Sequence, residues 1–132
     1  MTTHIQTPLQ VKTFAPALTV DNLQQSIRLF EGLGFAVDER WEEKGALLGV
    51  MMRAGDAQIG LNQDDWTKGR DRQKGIGMRI LIGTTQDVDE IASRLRAAGV
   101  SLDTEPRDTP EGRAFEVSDP TGFKVTIWHE KG

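Results

Sequence analysis

The sequence of 132 residues contains no cysteine and only two histidines. The lack of cysteine excludes disulfide bonds, thiolate nucleophiles and cysteine-ligated metal sites together. We interpret His4 as a residue of a polar tail and His129 as a strand-end residue on the helix-facing side of its sheet. The opposing interpretation makes one of them a displaced metal ligand.

The sequence also lacks long apolar runs and an excess of positive charge. No apolar segment approaches the roughly 20 residues that a membrane span requires, and residues 1–10 contain no apolar signal-peptide core. The chain has 20 acidic and 16 basic residues, a net charge of −4, whereas nucleic-acid binding depends on clustered lysine and arginine. We therefore expect one cytoplasmic, globular domain that binds neither nucleic acid nor a membrane.

Two segments share one amphipathic helical pattern. Residues 21–33 carry an apolar stripe that starts at Leu23, with Asp21 as the predicted N-cap and Gly34 as the helix stop. Residues 87–98 repeat the pattern from Val88, with Asp87 as the cap and Gly99 as the stop. Val88 and Gly99 each follow their counterparts, Leu23 and Gly34, by 65 residues. The chain is therefore predicted to contain one structural unit twice.

Each predicted helix is preceded by one strand and followed by three. The fold predicted is α+β, with two βαβββ modules forming a cup-shaped, mostly antiparallel sheet with helices outside. One helix cannot cover a module's apolar sheet face alone, so we expect the modules to share a core or pack on a partner chain. The modules span about 12–63 and 77–129 and are joined by a charged connector, 64–77. Their predicted strands are 14–20, 35–41, 46–53, 56–63, 78–83, 100–105, 113–118 and 123–129.

The repeat, the motif "VDNLQQSIRLFEGLGF" and the closing "DPTGFKVTIW" resemble the vicinal oxygen chelate superfamily. That group includes glyoxalase I, extradiol dioxygenases and bleomycin-resistance proteins. The resemblance covers residues 12 to 129 and implies a cup that can hold a divalent metal between histidine and carboxylate ligands. It also implies a homodimer, because relatives with two short units commonly build their clefts with a partner chain.

The ligand positions implied by the resemblance carry weak donors in this sequence. A histidine position five residues before Val20 falls on Ala15, and its second-module counterpart falls near Met78. The last-strand position, four residues after the turn glycine, is Thr126, and its first-module counterpart is Gln58 or Gly60. Since none of these side chains is an imidazole or a carboxylate, we expect no metal and no other cofactor.

Strand alternation predicts which side chains line the cup. Ligand-binding candidates are one aromatic wall, several polar groups, a small residue and a possible anion-binding arginine: Trp128, Thr126, Lys124, Gln58, Asn62, Trp66, Ala15 and Arg113. Trp66 has two interpretations, a lid over the ligand or an anchor for the connector. Trp41 is predicted to pack at the sheet edge outside the cup, and the orientation of Arg79 is left open.

These features predict a metal-free, small-molecule-binding protein that resembles the bleomycin-resistance type and sequesters a planar or aromatic ligand. The alternative is a lyase, isomerase or dioxygenase-like enzyme with atypical ligands or none. Its acid–base candidates would be Lys124, Glu116, Asp119 and Arg113. No nucleophile–base pair is recognisable, so the catalytic residues are unknown. A third possibility is a structural or regulatory dimer.

Overall fold

The computed structural model describes residues 7–130, and His4 lies outside the described residues. The chain forms two βαβββ modules, which confirms the predicted α+β fold class. The elements of module 1 are β1 (Ala17–Val20), α1 (Leu23–Leu33), β2 (Ala36–Glu43), β3 (Ala46–Ala54) and β4 (Ala57–Gln63). Those of module 2 are β5 (Arg79–Thr84), α2 (Val88–Ala97), β6 (Thr104–Thr109), β7 (Gly112–Ser118) and β8 (Lys124–His129).

Each module contributes a separate four-stranded sheet with the same topology. The strand orders are β1-β4-β3-β2 and β5-β8-β7-β6, and the two sheets are not joined by strand pairing in the described chain. The first strand of each module runs parallel to the last, and the remaining pairs are antiparallel. The internal repeat read from the sequence is therefore a repeat of topology.

The two helices begin and end near the predicted residues. Asn22, rather than Asp21, is the N-cap of α1, because its side-chain oxygen accepts a hydrogen bond from Gln25 N at 3.1 Å. Asp87 caps α2 as predicted, accepting from Asp89 N at 2.9 Å. Gly34 ends α1 in the left-handed conformation at φ 112°. A side chain bearing Cβ would be strained there.

The modules pack against each other through these helices. Apolar side chains from both helices and from one side of each sheet form one core. A Cβ on Gly32 of α1 would lie 2.7 Å from Leu95 Cδ2 of α2, so glycine permits the close approach. The helix-facing sides of both sheets are thus committed to this core. We call the opposite side of each sheet its open face.

Strand β6 lies later in the sequence than predicted. The alternation of Val100 and Leu102 suggested a strand at 100–105, but these two residues pack on the core ahead of the strand. The strand itself, Thr104–Thr109, is polar and contains Pro106. Proline is tolerated there because β6 is an edge strand with a register irregularity between Thr104 and Arg107.

The connector is fixed to module 1 by a charge cluster of Asp21, Asp64 and Lys74, which we call the connector clasp. Lys74 Nζ lies 2.8 Å from Asp64 Oδ2 and 2.5 Å from Asp21 Oδ1. The side chains of Asp64 and Lys74 are 3% and 7% exposed. Hydrogen bonds from Lys74 and from Trp66 N lower the pKa of Asp64 far below its ordinary value. The connector is therefore pinned to the junction of β1 and α1.

Beyond the clasp, the connector passes directly against module 2. A Cβ on Gly75 would lie 2.5 Å from the carbonyl oxygen of Gly122, in the turn before β8. Both glycines have positive φ, 81° and 118°. The same turn reaches module 1, where Asp21 N donates to Thr121 Oγ1 at 3.0 Å. The clasp therefore joins both modules to the connector.

Asp64→Asn should destabilise the protein more than Asp71→Asn, a control at an exposed connector position. The substitution removes the buried carboxylate that pairs with Lys74 and Arg72, and leaves Lys74 with Asp21, whose side chain is 48% exposed. Breaking a buried ion pair is destabilising, so we expect the melting temperature to fall by roughly 5–10 °C. The pKa of the Asp64 carboxyl is lowered in the folded state. Its contribution to the free energy of unfolding is therefore fully present above the ordinary pKa of 3.8, and it is lost only as the pH falls through the lowered value. Thermal denaturation should therefore show the same difference at pH 5 and pH 8. Equal melting temperatures for the two variants would contradict this role.

Candidate functional site

The main candidate site is a cavity of about 490 Å³ on the open face of module 2. Strand pairing places its floor residues in two rows across the sheet. One row runs Leu81, Thr126, Glu116 and Thr104, and the next runs Gly83, Trp128, Ala114 and Arg107. Every residue that lines the cavity belongs to module 2.

Trp128 forms the aromatic wall of this cavity. A Cβ on Gly83, its neighbour across the β5–β8 pair, would lie 2.7 Å from the indole Cζ2. The indole therefore lies over a position where only glycine leaves room. Next to it, Leu81 is 62% exposed on the same face. The cavity thus combines an aromatic surface with an aliphatic one.

An ion pair lies in the row beside the indole. Arg79 Nη1 donates to Glu116 Oε2 at 2.5 Å and to Thr126 Oγ1 at 3.2 Å. Arg107 Nη2 lies 3.6 Å from Glu116 Oε1, so each carboxylate oxygen faces one guanidinium. The hydrogen bond from Arg79 is the main cause that lowers the pKa of Glu116. Glu116 is therefore held as a carboxylate, whereas a general base works best with a pKa near the operating pH.

The structure separates the eight predicted ligand-binding residues. Trp128 and Thr126 line the cavity, and Lys124 lies on the same open face in the adjoining recess, across from Arg79. Gln58 and Asn62 share the open face of module 1, where each pairs with an open-face residue of β3. Ala15 precedes β1.

The sequence predicts that Arg113 binds an anion in the cup. In the structure, Arg113 does not lie on the open face. Its neighbour Ala114 pairs with Trp128 on that face, so Arg113 lies on the helix side of β7. There it donates to both carboxylate oxygens of Asp89 in α2, at 2.7 and 3.1 Å, which raises its own pKa. His129 lies on the same side, as predicted, with Nδ1 2.9 Å from Gln86 O.

Of the two other tryptophans, Trp66 takes one of its two predicted roles, and Trp41 differs from its prediction. The Trp66 ring packs within the connector, where Arg70 Cζ and Lys74 Nζ lie 4.7 and 5.0 Å from its centroid. These contacts agree with Trp66 as an anchor for the connector. Trp41 is on the open face of module 1, not outside it. Its ring would be 3.4 Å from a Cβ on Gly49. Strand β2 is an edge strand of its sheet, and the register shift between Val37 and Glu39 turns the Trp41 side chain to the open face.

The residues that sequence reasoning missed lie mainly on β5 and β6. Arg79 and Leu81 belong to the apolar run "RILIG", in which alternation does not distinguish the two faces. Arg107 and Thr109 fell outside the strand predicted at 100–105. The turn at Pro110–Gly112 is the sequence signal that could have located them. A hairpin that turns at these residues extends β6 to Thr109.

The positions implied for a metal do not fit a divalent ion. Ala15 offers a methyl group, Met78 a thioether, Thr126 a hydroxyl that already accepts from Arg79, and the remaining position is Gln58 or Gly60. Among the described residues there is no group of three histidine, cysteine, aspartate or glutamate side chains placed to share an ion.

Neither helix of residues 7–130 has the length and apolar character needed to cross a bilayer.

Comparison with known proteins identifies one family. The sequence pattern of the glyoxalase/bleomycin resistance protein/dioxygenase superfamily matches residues 10–127. No curated protein sequence matches the chain.

Several solved structures share the fold. TioX from Micromonospora sp. ML1 is 18% identical, with a TM-score of 0.72, and the match covers 92% of this chain and 100% of TioX. A superfamily member from Sphaerobacter thermophilus DSM 20745 is 23% identical, with a TM-score of 0.68 and coverage of 92% and 98%. TnmS3, an antibiotic binding protein from Streptomyces sp. CB03234, is 23% identical, with a TM-score of 0.63 and coverage of 97% and 100%.

Gly83→Ala should disturb the indole of Trp128 and destabilise the chain. The added methyl group would overlap the ring, and overpacking of this kind costs about 1–3 kcal/mol. Urea denaturation measures the loss, and acrylamide quenching of Trp128 in a Trp41→Phe, Trp66→Phe background should report greater exposure of the ring. The matched control is Gly60→Ala, whose methyl group would make an ordinary 3.5 Å contact with Ala17 Cβ. Identical quenching in the two variants would refute the stacked position of the indole.

Proposed function

The chain belongs to the glyoxalase/bleomycin resistance protein/dioxygenase superfamily, and from this membership and the cavity geometry we propose that it is a small-molecule-binding protein. It sequesters a planar or aromatic ligand without a metal ion, in the manner of the bleomycin-resistance type. The observation that carries the proposal is the cavity on module 2, with the Trp128 indole as one wall.

The size and lining of the cavity support binding of a drug-sized molecule. Small-molecule sites are typically clefts of about 300–1,000 Å³ with apolar walls and a few polar groups that set orientation. Here the walls are Trp128, Leu81 and Ala114, and the polar groups are those around Glu116. TnmS3, with the same fold, is an antibiotic binding protein. It gives a precedent for such binding on this fold.

Metal independence is part of the proposal and rests on the side chains at the implied ligand positions. The alternative, a lyase, isomerase or dioxygenase-like enzyme, gains no supporting contact among the described residues. Glu116 is engaged by Arg79, and Arg113 by Asp89. Asp119 accepts a hydrogen bond from Thr121 N within the turn that precedes β8.

We also propose that the working form is a homodimer. The helix-facing sides of both sheets share one core, so the open face of module 1 points away from the cavity of module 2. Trp41 and Leu81, 43% and 62% exposed, lie on these two open faces. A second copy related by a twofold axis would place its module 1 open face over the cavity. Gln58 and Asn62 would then reach the ligand from the second copy.

This dimer closes both cavities at once. In a twofold arrangement the module 1 open face of each copy covers the module 2 open face of the other, so all four open faces are covered. The apolar side chains on both faces are then removed from water, which favours association. A cytoplasmic location for the dimer stays a prediction.

Trp128→Ala should weaken ligand binding roughly ten- to a hundredfold. Stacking contributes about 0.5–1.5 kcal/mol beyond the buried area of the ring, and the substitution removes both. A thermal-shift screen of planar antibiotics and aromatic acids would identify a ligand, and isothermal titration calorimetry would give Kd for each variant. Trp66→Phe is the control and should change Kd less than twofold, because Trp66 packs within the connector. Undiminished affinity in Trp128→Ala would refute the proposed site.

Leu81→Asp should convert the dimer to a monomer. A carboxylate at this position would be buried against the second copy without a partner. Light scattering should give about 29 kDa for the parent protein, twice the 14.6 kDa chain, and half of that for the variant. Ser93→Asp adds the same charge at an exposed position of α2 and should remain a dimer. A parent protein that is monomeric at micromolar concentration would refute the dimer.

A further inference from the structure

The charges of the module 2 cavity are not explained by a purely apolar ligand. Arg79, Glu116 and Arg107 lie on the open face beside the indole, with side chains 47%, 26% and 55% exposed. Glu116 is the least exposed of the three and lies between the two guanidinium groups. One carboxylate thus holds two arginines in position while about half of each arginine side chain stays accessible.

The two arginines differ in how fully Glu116 occupies them. Arg79 is held at 2.5 Å and is further fixed by the Thr126 hydroxyl at 3.2 Å. Arg107 approaches the other carboxylate oxygen only to 3.6 Å, longer than a normal hydrogen bond. A guanidinium carries five N–H donors. The donors of Arg107 are therefore available to a ligand.

The recess next to the cavity adds a further positive charge. Lys124 is the direct neighbour of Arg79 across the β5–β8 pair, on the same face. The recess that Lys124 and Arg79 share has no acidic residue among the described residues that line it. In the cavity, the only other carboxylate lining the described walls is that of Glu111, in the exposed turn between β6 and β7. On this open face the cations Arg79, Arg107 and Lys124 thus lie with the carboxylates of Glu116, Glu111 and Glu130, the last of which has Oε2 3.0 Å from a Cβ on Gly83 beside the indole.

The spacing of the row suits a ring system with a charged end. Trp128, Ala114 and Arg107 lie side by side on β8, β7 and β6, so the first and third are two strand spacings apart, roughly 10 Å. Ala114, between them, has only a methyl group, which leaves space above the sheet. A flat molecule of two or three fused rings can therefore lie over Ala114, with one end at the indole and the other near the arginines.

We propose that the ligand is an aromatic anion: a planar ring system bearing a carboxylate, sulfonate or similar group. The rings lie over Ala114 with one end against Trp128, and the anionic group accepts hydrogen bonds from Arg107 and Arg79. Glu116 and Thr126 act as positioning residues that hold the guanidinium groups toward the ring system. Charge-assisted hydrogen bonds in a partly water-excluded cleft favour the anion over a neutral ring of the same shape. This inference rests on the proposed small-molecule function and specifies its ligand class.

The test compares paired probes that share a ring system, one with an anionic group and one without. One pair is 1-anilinonaphthalene-8-sulfonate and neutral N-phenyl-1-naphthylamine, and a second is 2-naphthoate and 2-naphthamide. Fluorescence titration and calorimetry give Kd for each probe with the parent protein, at low and high salt. We expect the anionic member of each pair to bind at least about tenfold more tightly. This preference should shrink as salt screens the charges.

Arginine variants locate the source of that preference. Arg107→Gln should reduce the preference at least about fivefold while changing the Kd of the neutral probe less than twofold. Arg28→Gln removes the same charge from an exposed position of α1 and should leave the preference intact. Arg107→Lys should retain part of it, since the charge remains but the forked donor geometry is lost. Melting temperatures near that of the parent would show that each variant is folded.

The outcomes separate this inference from the function on which it rests. If anionic and neutral probes bind equally and Trp128→Ala weakens both, the binding function stands and the anion specificity is wrong. If Arg107→Gln and Arg28→Gln reduce the preference equally, it comes from overall charge and the proposed site is wrong. If no probe of either pair binds, both proposals fail. An anion preference lost only in Arg107→Gln supports both.

Discussion

The structure depends on one constraint: each sheet has a single helix-facing side, and both of these sides are used in one shared core. The close contact of α1 and α2 at Gly32 and Leu95 makes that core possible, because only a residue without a Cβ leaves room for the leucine. Once the helix sides are committed to each other, the open faces must point away from the core. Neither open face can therefore be covered by the other module of the same chain. The open cavity and the exposed apolar residues on both open faces follow from this arrangement, and they are the reason for proposing a second copy.

The two open faces share one local design but differ in chemistry. In each, a tryptophan ring lies over a glycine of a neighbouring strand: Trp41 near Gly49 in module 1 and Trp128 near Gly83 in module 2. The module 1 face carries a single ion pair, Arg53 with Asp38 at 3.3 Å, whereas the module 2 face carries two arginines around Glu116. A duplicated scaffold thus supplies two aromatic surfaces, and the two-arginine cluster lies on the surface of module 2. Under the proposed function, this asymmetry determines the direction in which a charged ligand lies.

The sequence predicted the topology well because the repeat is carried by strong local signals. Apolar stripes, helix stops at Gly34 and Gly99, and the turn at Asp119–Gly122 each depend on a few neighbouring residues. The site was predicted less completely. The side of the sheet to which a side chain points depends on strand register, and the register is irregular in the edge strands β2 and β6. The register irregularity in β2 brought Trp41 onto the open face, and the late start of β6 hid Arg107. Arg113 was misplaced for a related reason: a solvent-accessible arginine near a hairpin can bind a ligand or a helix carboxylate, and sequence alone does not show that Asp89 lies within reach.

The surroundings of Thr126 give the proposed anion preference a physical basis that does not require a metal. By resemblance, this position corresponds to a metal ligand of the last strand, and here it has a hydroxyl that accepts a hydrogen bond from Arg79. The positive charge beside Thr126 is thus a guanidinium that the protein itself supplies, held in place by Glu116. A guanidinium attracts an anionic group and fixes its direction through paired N–H donors. It offers no coordination position at which a bound oxygen could be activated. The position that the resemblance assigns to a metal ligand thus has a hydroxyl next to a fixed arginine. This arrangement attracts an anion, as a metal ion would, but it favours ligand binding over catalysis. That is the physical basis for proposing a binding protein.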